Sequence, residues 1–293
     1  MVVSTLNSPA ESSTELSAPR SGVVGVLRRA MSREEFFAGL YILGLINGLG
    51  GQIIQSINVD GWSASAFERI SVIEFLACFA GVSLLLRDRK EAVRTLDLAF
   101  AAIFLLFIIL PVGVLSWIGV TGLSLYVLLT QPSPSVRRGA IILLAVTVPM
   151  LWSRLLFQFF ADIILGIDAA LVASVLGTDR IGNVVRFFDS SGYMVVQPGC
   201  SSLANMSLAF LCWVTVTQWV NHRWSPTDII WCLLTCVSVI AVNVIRISLM
   251  GLSQDHYQTL HTEFGYTIGN FILLALTFGF CVLGARREIF SRA

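Results

Sequence analysis

Eight apolar stretches of roughly membrane length dominate this sequence and limit what the chain can fold into. The hydrocarbon core of a bilayer is about 30 Å thick, and about 20 helical residues at 1.5 Å each cross it. The stretches cover residues 36–55, 70–86, 96–112, 114–131, 139–158, 200–221, 228–252 and 265–285. The chain is 13% charged, whereas soluble domains carry about twice that share. The sequence therefore predicts an all-α membrane protein with about eight transmembrane helices.

The third and fourth stretches form one run that is interrupted near Pro111 and Gly113. A single helix of that length would exceed the bilayer, so we interpret the run as a tight helical hairpin. Residues 1–34 are expected to form a disordered cytoplasmic tail, because residues 1–22 are rich in Ser, Thr and Pro and have no apolar core. No repeat or linker divides the remainder, so residues 35–293 are predicted to form a single multi-pass membrane domain.

The Lys and Arg residues predict the orientation of the helices. Fourteen of the 19 fall on one side of an eight-span arrangement: Arg20, Arg28, Arg29, Arg33, Arg87, Arg89, Lys90, Arg94, Arg137, Arg138, Arg223, Arg286, Arg287 and Arg292. Cytoplasmic loops are enriched in basic residues, so this side is expected to be the cytoplasm. Both termini would then be cytoplasmic in the cell's inner membrane. The net charge of +1 gives no indication of nucleic-acid binding.

One sizeable segment, residues 159–199, is predicted outside, between the fifth and sixth spans. Apolar residues at helical spacing in its first half suggest a helix along the outer interface: Ile163, Ile164, Ile167, Leu171 and Val175. Its second half has the pattern of a hairpin that turns at Asp189 to Gly192. This external helix-plus-hairpin segment leads directly to Cys200.

Cys200 differs from the other five cysteines in its position. The others lie within apolar stretches, where a cysteine is typically a small buried residue. Cys200 follows Pro198 and Gly199 at the predicted outer end of the sixth span. Free N–H groups and the dipole at a helix N-terminus stabilise an anion, so this position favours a thiolate. The alternative is a boundary cysteine without a role.

Two further polar residues are predicted near the same membrane depth. Arg246 lies in the seventh span, on the same helix face as Asn243. A charge in a membrane helix costs about 2–3 kcal/mol or more, so it is usually paired or functional. Snorkelling or a structural pair with Glu74 in the second span is the alternative. His261 precedes the eighth span on the outer side, and His256 is its rival; a solvated loop histidine is the default interpretation of either.

A thiol, an imidazole and a guanidinium at the outer ends of three consecutive spans suit acyl transfer. That reaction needs a nucleophile, a proton-transfer group and positive charge where the oxyanion develops. We expect Cys200 to attack a peptide carbonyl and form a thioester, while His261 activates the thiol or protonates the leaving amine. Arg246 would bind the oxyanion or position the scissile peptide. No cofactor and no metal is expected.

At these residues the sequence resembles the exosortase/archaeosortase family of multi-pass membrane transpeptidases. The family's catalytic residues come from Cys-Ser-Gly, Asn-x-x-Arg and His-x-x-x-Gly motifs. The corresponding segments here are Cys200-Ser201-Ser202, Asn243-Val244-Ile245-Arg246 and His261-Thr262-Glu263-Phe264-Gly265. Residues 176–185 also resemble the family's approach to its cysteine, and the similarity covers residues 140–285. Ser202 replaces the usual glycine, and its hydroxymethyl group would narrow the site if a substrate backbone passes there.

The resemblance implies protein partners that carry a C-terminal sorting signal, in which a short motif such as Pro-Glu-Pro precedes a membrane helix and a basic tail. It implies cleavage near that motif at the outer membrane face and transfer of the new C-terminus to an acceptor that the sequence does not identify. Bacterial members often accompany exopolysaccharide production. The acidic motif of such a signal could pair with Arg154, Arg180 or Arg186. We regard Asn243, Glu74 and Arg154 as candidate supporting or substrate-binding residues.

Two other classes of function are compatible with parts of the sequence. A transporter or channel would use Glu74, Arg154, Asn243 and Arg246 as a polar path. Their predicted crowding in the outer half favours a site over a conduit. A metalloenzyme would use Asp255, His256, His261 and Glu263, but the HExxH motif of such enzymes is absent from the sequence.

Overall fold

The structure, a computed structural model, describes residues 31–60, 71–88, 91–110, 112–131, 133–223, 225–260 and 262–286, without the side chains of 55–60, 109, 263, 264 and 266. Most of the predicted tail (residues 1–30), Pro111 and the candidate His261 lie outside the described residues. So do seven of the basic residues used to orient the chain: Arg20, Arg28, Arg29, Arg89, Lys90, Arg287 and Arg292.

The described residues form ten α-helices and a small sheet. The helices are α1 (Arg33–Asp60), α2 (Val72–Leu85), α3 (Thr95–Ile109), α4 (Gly113–Thr130), α5 (Pro134–Thr147), α6 (Ser153–Leu176), α7 (Ser202–Trp219), α8 (Pro226–Met250), α9 (Gln254–Leu260) and α10 (Glu263–Gly284). A π-helical segment, Val148–Trp152, joins α5 to α6. The strands are β1 (Arg180–Ile181), β2 (Val184–Arg186) and β3 (Tyr193–Val195).

Five helices in the described part of the chain are long and apolar enough to cross a membrane: Arg33–Ile54, Gly113–Thr130, Pro134–Leu176, Pro226–Met250 and Thr267–Gly284. The helices α2 and α3 are apolar but shorter. The helix α7 has 18 residues, and Asn205 and Gln218 lower its hydropathy. Large apolar side chains such as Phe79 (69% exposed) and Leu129 (86% exposed) face outward, as expected where lipid is the solvent. The chain is therefore mostly helical and has the features of a membrane protein.

The predicted break between the third and fourth apolar stretches is confirmed. The helix α3 ends at Ile109, α4 begins at Gly113, and the two pack against each other. Asn47 of α1 donates from Nδ2 to the carbonyl oxygen of Ile108 (3.1 Å) and to Ser116 Oγ (2.7 Å). This amide satisfies a carbonyl at the end of α3 that has no partner within its own helix.

Small residues let α2 and α5 approach closely. A Cβ added at Gly139 would lie 2.7 Å from the carbonyl oxygen of Gly81, and one at Gly81 would lie 2.6 Å from Leu143 Cγ. Close backbone contact between glycines is a common way of packing membrane helices, where dispersion contacts replace the hydrophobic effect. The buried side chains Leu143 and Leu85 pack directly against Gly81 and Gly139, respectively.

The fifth apolar stretch continues as one helical unit of 43 residues, from Pro134 to Leu176. A straight helix of that length would measure about 65 Å, which is twice the bilayer core. The unit is not straight, because it contains the π-helical segment and a non-helical residue at Phe160 (φ −126°, ψ 23°). The helix predicted in the segment 159–199 is thus the continuation of α6 beyond Phe160, and not a separate element.

The predicted hairpin is present as β2 and β3, paired antiparallel with Val184 opposite Val195, and β1 adds a third strand. Its turn includes Ser190 in a left-handed conformation. The hairpin backbone also binds the end of α8, because the N–H of Phe188 donates to the carbonyl of Gly251 (3.0 Å). Val185 and Met194 are buried against α6 and α8, so the sheet covers the ends of these two helices.

At the other end of the helices lies a network around Arg33, which we name the Arg33 end. Arg33 is fully buried; its Nε and Nη2 atoms each lie 2.8 Å from an oxygen of Asp97, and its Nη1 lies 2.9 Å from Glu91 Oε2. Thr130 accepts a further bond from Nη2 (3.0 Å). Arg33, which lies within the expected tail of residues 1–34, is the first residue of α1 and is buried in this network.

Candidate active site

Cys200 ends a 3₁₀ turn, Pro198–Cys200, that connects the sheet to α7. The turn closes through the Cys200 N–H, which donates to the carbonyl of Gln197 (2.9 Å), and Ser201 then caps α7. Cys200 is half-buried and packs against the cluster that joins the sheet to α6 and α8. We name this side of the molecule, where α7 begins and α8 ends, the Cys200 end.

Asn243 of α8 binds the backbone around Cys200. Its Nδ2 donates to the carbonyl oxygen of Cys200 (2.7 Å) and to Ser202 Oγ (3.1 Å), and its Oδ1 accepts from Asn205 Nδ2 (3.4 Å). Asn243 is fully buried, so these bonds replace water completely. The serine at the position where the resembled family has glycine therefore supplies an acceptor to this amide.

Asp168 of α6 holds the same turn from the other side. Its Oδ2 accepts from the N–H of Ser202 (3.0 Å), and the carboxylate is buried. Sequence reasoning did not single out Asp168. The signal that could have found it was an acidic residue inside an apolar stretch, because such a residue is usually paired or functional.

The expected role of free helix N–H groups at the sulfur is not met by this geometry. Cys200 precedes the N-cap, the Ser202 N–H is bonded to Asp168, and the Leu203 N–H is bonded to Ser201 Oγ (3.2 Å). These first donors of α7 are occupied by oxygen acceptors. Positive charge at the sulfur comes from another helix instead.

Arg246 supplies that charge. Its Nη2 lies 3.7 Å from Cys200 Sγ, within hydrogen-bonding range of sulfur, although the two residues are 46 positions apart. Gly269 of α10 makes room for the side chain, because a Cβ there would lie 2.8 Å from Arg246 Cδ and 3.3 Å from Nη1. The guanidinium is thus held between α8, α10 and the Cys200 turn.

The predicted third member, His261, lies outside the described residues, but its neighbours are visible. Leu260 ends α9, and a Cβ at Gly265 would collide with the Leu260 carbonyl oxygen. The close approach of the start of α10 to the end of α9 therefore requires glycine at position 265.

The rival His256 is exposed on α9. Its Nδ1 lies 2.8 Å from Ser253 Oγ, and it faces Asp189 of the hairpin turn. Hydrogen bonds from Ser191, with a smaller contribution from the charge of His256, hold the pKa of Asp189 below its ordinary value. His256 thus lies beside the hairpin, and its described hydrogen bonds are to Ser253.

Glu74 and Arg154, the other two candidates, belong to a different group of side chains. Arg154 Nη2 donates to Gln52 Oε1 (3.2 Å) and interacts electrostatically with Glu74. The Glu74 carboxylate caps its own helix by accepting from the Ser71 N–H (2.8 Å). Within the described ranges, neither residue is hydrogen-bonded to Cys200, Asn243 or Arg246.

The four residues of the alternative metal site are only half described. Asp255 and His256 are visible, whereas His261 and the side chain of Glu263 are outside the described part. Among the side chains that are described, no group of three or more His, Cys, Asp or Glu is placed to hold a metal ion.

The fold and site define a mostly helical protein with the features of a membrane protein, in which the turn before α7 brings Cys200 against Arg246 of α8 at one end of the bundle. Comparison of the chain with protein-family models, with characterised proteins and with solved structures finds no match.

Proposed function

We propose that this protein is a membrane-embedded cysteine transpeptidase or protease that cleaves the C-terminal sorting signal of exported proteins. The observation that carries the proposal is the distance of 3.7 Å between Cys200 Sγ and Arg246 Nη2. A guanidinium beside a sulfur stabilises the thiolate, which is the nucleophilic form. The resemblance of the surrounding motifs to membrane transpeptidases points to the same chemistry.

The proposed arrangement in the membrane has eight spans, with the Arg33 end in the cytoplasm and the Cys200 end outside. Described basic residues near the Arg33 end, such as Arg94 and Arg138, support this orientation through the positive-inside rule. A substrate with its own membrane helix would then present its cleavage point just outside the bilayer, at the depth of Cys200. The exposed Arg180 on β1 is available to an acidic recognition motif.

In the proposed reaction, Cys200 Sγ attacks the scissile carbonyl carbon and forms a thioester as the C–N bond breaks. His261 transfers the proton that the leaving amine requires. Arg246 stabilises the thiolate first and the oxyanion next, because the guanidinium has several N–H donors. An acceptor nucleophile then attacks the thioester and restores the thiol.

The supporting residues keep the nucleophile in place. Asn243 binds the Cys200 carbonyl, and Asp168 binds the N–H of Ser202. The backbone around the cysteine is therefore fixed by two buried polar groups. Fixing a nucleophile before the substrate arrives lowers the entropic cost of reaching the reactive geometry. We therefore assign positioning roles to Asn243 and Asp168.

Replacement of the nucleophile tests the proposal. Cys200→Ala and Cys200→Ser, co-expressed with a tagged substrate that carries a C-terminal tripartite signal, are expected to accumulate in the membrane and leave the substrate uncut. Cys236→Ala on α8 is the matched control and should process normally. Mass measurement of the product's new C-terminus distinguishes hydrolysis from transfer. Normal processing by both Cys200 variants would refute the proposed enzyme.

The histidine assignment has its own test in the same assay. His261→Ala is expected to abolish processing, and His256→Ala to retain it, because His256 is exposed and bonded to Ser253. The opposite result would transfer the proton-transfer role to His256 and leave the role of Cys200 intact.

A further inference from the structure

A polar cavity lies among α1, α4 and the start of α6, away from Cys200. Its volume is about 550 Å³, and its polar lining consists of Gln52, Trp117, Arg154 and Gln158. Cys200, Asn243 and Arg246 do not line it. The cavity is therefore separate from the proposed thiol site, and its function can be argued independently.

The polar groups of this cavity are mainly hydrogen-bond donors. In the described part of the chain, Arg154 has a single hydrogen-bond partner, Gln52 Oε1, whereas a guanidinium carries five N–H donors. Glu74 acts on Arg154 electrostatically, but it does not line the cavity, and its carboxylate accepts from the Ser71 N–H. A cation with unused donors favours an anionic oxygen ligand.

Trp117 adds a second donor. Its side chain is buried, and its Nε1 has no hydrogen-bond partner among the described residues. A Cβ added at Gly48 of α1 would lie 2.8 Å from Trp117 Cε2, so the indole packs directly on the α1 backbone. Because buried N–H groups are rarely left without an acceptor, the unbonded indole N–H points to a ligand that supplies one.

The lining also includes exposed apolar residues. Ile54 is 61% exposed, and Val112 and Val114 are each 47% exposed. The cavity thus joins an apolar outer surface to the polar side chains of Arg154 and Gln158, which are themselves exposed. A ligand with an acyl chain and an anionic head fits both parts, because the chain can remain in the hydrocarbon while the head reaches Arg154.

We infer that this cavity binds the phosphodiester oxygens of an anionic lipid headgroup. Arg154 provides the charge and a fork of donors that matches phosphate geometry. The Trp117 N–H binds a second oxygen, and Gln158 lines the same volume. A free phosphate ion presents the same oxygens without the chain, so the source of the anion must be distinguished by experiment.

The test is a thermal-unfolding titration of the full chain, purified in an uncharged detergent. Dihexanoylphosphatidylglycerol is expected to raise the Tm saturably, because a ligand that binds the folded state stabilises it by mass action. Dihexanoylphosphatidylcholine at equal concentration should raise it little. The apparent affinity for the anionic lipid should fall about tenfold in Arg154→Gln and several-fold in Trp117→Phe. Arg180→Gln, which removes an exposed arginine elsewhere, should retain the wild-type affinity.

Other outcomes of the titration either assign the site to free phosphate instead of a lipid headgroup or overturn the inference. A saturable shift with inorganic phosphate alone, lost in Arg154→Gln, keeps the oxyanion site and assigns it to a free anion. Equal shifts with both lipids, or unchanged affinity in Arg154→Gln and Trp117→Phe, would overturn the site. If Arg154→Gln does not fold, Arg154→Lys and Gln158→Leu replace it under the same criteria. Because Cys200→Ala should bind the lipid normally, failure here is distinguishable from failure of the proposed enzyme.

Discussion

Two residues of different helices bind the backbone of the turn that contains Cys200, and a third contacts the Cys200 sulfur. Asn243 binds the carbonyl, Asp168 binds the backbone of the second following residue, and Arg246 lies beside Sγ. A cysteine on an unsupported turn would sample many rotamers and backbone positions. Here the hydrogen bonds from α6 and α8 restrict the turn before any substrate binds.

Asp168→Asn is expected to slow processing about tenfold and to lower the free energy of unfolding by about 1–2 kcal/mol. The amide keeps the size of the side chain but replaces a charge-assisted hydrogen bond to the Ser202 N–H with a weaker neutral one. Processing rates and denaturation of the purified variant measure the two effects. Asp162→Asn, at an exposed position of α6, is the matched control; equal behaviour of the two variants would remove the positioning role from Asp168.

The predicted order of the spans was enough to expect Arg246 and Cys200 near the same end of the molecule, and the structure has Arg246 Nη2 3.7 Å from Cys200 Sγ. The sequence could not predict that Asp168 binds the N–H of Ser202, because this hydrogen bond depends on how α6 bends after Phe160. That residue has no helix-breaking side chain, so the sequence contains no local signal of the bend. The burial of Arg33 was also missed, since its partner Asp97 is 64 positions away.

At the scale of elements, helix length and helix contact were predictable to different degrees. Each of the eight apolar stretches contains a helix, because twenty apolar residues satisfy their backbone hydrogen bonds most easily in that form. Which faces touch depends on small residues that meet across helices, as Gly81 and Gly139 do. Glycines occur on many faces of these helices, so their pairing is visible only in three dimensions.

Gly269→Val is expected to reduce processing at least tenfold while the protein still accumulates in the membrane. A Cβ at position 269 would overlap Arg246 Cδ, so the guanidinium must move away from Cys200. The processing assay measures the loss, and the amount of membrane-bound protein checks folding. Gly279→Val on the same helix α10 is the control, since no atom lies within 4 Å of the added Cβ. Normal processing by Gly269→Val would mean that Arg246 need not lie where the structure has it.

On the scale of the whole molecule, the two ends of the bundle have different polar organisation. The Arg33 end contains a closed ionic network, in which a buried arginine contacts two carboxylates and a threonine. At the Cys200 end, an arginine contacts a half-buried thiol, and a second arginine lines a cavity. A network of buried, mutually bonded charges suits stability, whereas polar groups beside a half-buried thiol or a cavity suit binding. We therefore expect substitutions at the two ends to affect different properties.

Arg33→Gln is expected to lower the free energy of unfolding by about 3–5 kcal/mol, because it leaves the buried Asp97 carboxylate without its cation. Thermal or denaturant unfolding in detergent measures the change. Arg87→Gln removes an exposed arginine and should change stability by less than about 0.5 kcal/mol. Similar stability of the two variants would contradict a stabilising role for the Arg33 network.

The part of α6 beyond Phe160 has two unlike sides. Asp168 is buried among Leu165, Ala169 and Val172, while Ile163, Ile167 and Val175 are exposed. Rolling this segment by half a turn would bring a carboxylate to the lipid-facing surface, at a cost of about 2.5–3.5 kcal/mol if it lay deep in hydrocarbon. The rotation of this segment about its own axis is therefore fixed, because the face with the carboxylate must stay buried and the apolar face must stay exposed to lipid. This fixed rotation also sets the position of the turn that carries Cys200, because Asp168 accepts from the N–H of Ser202 two residues further on.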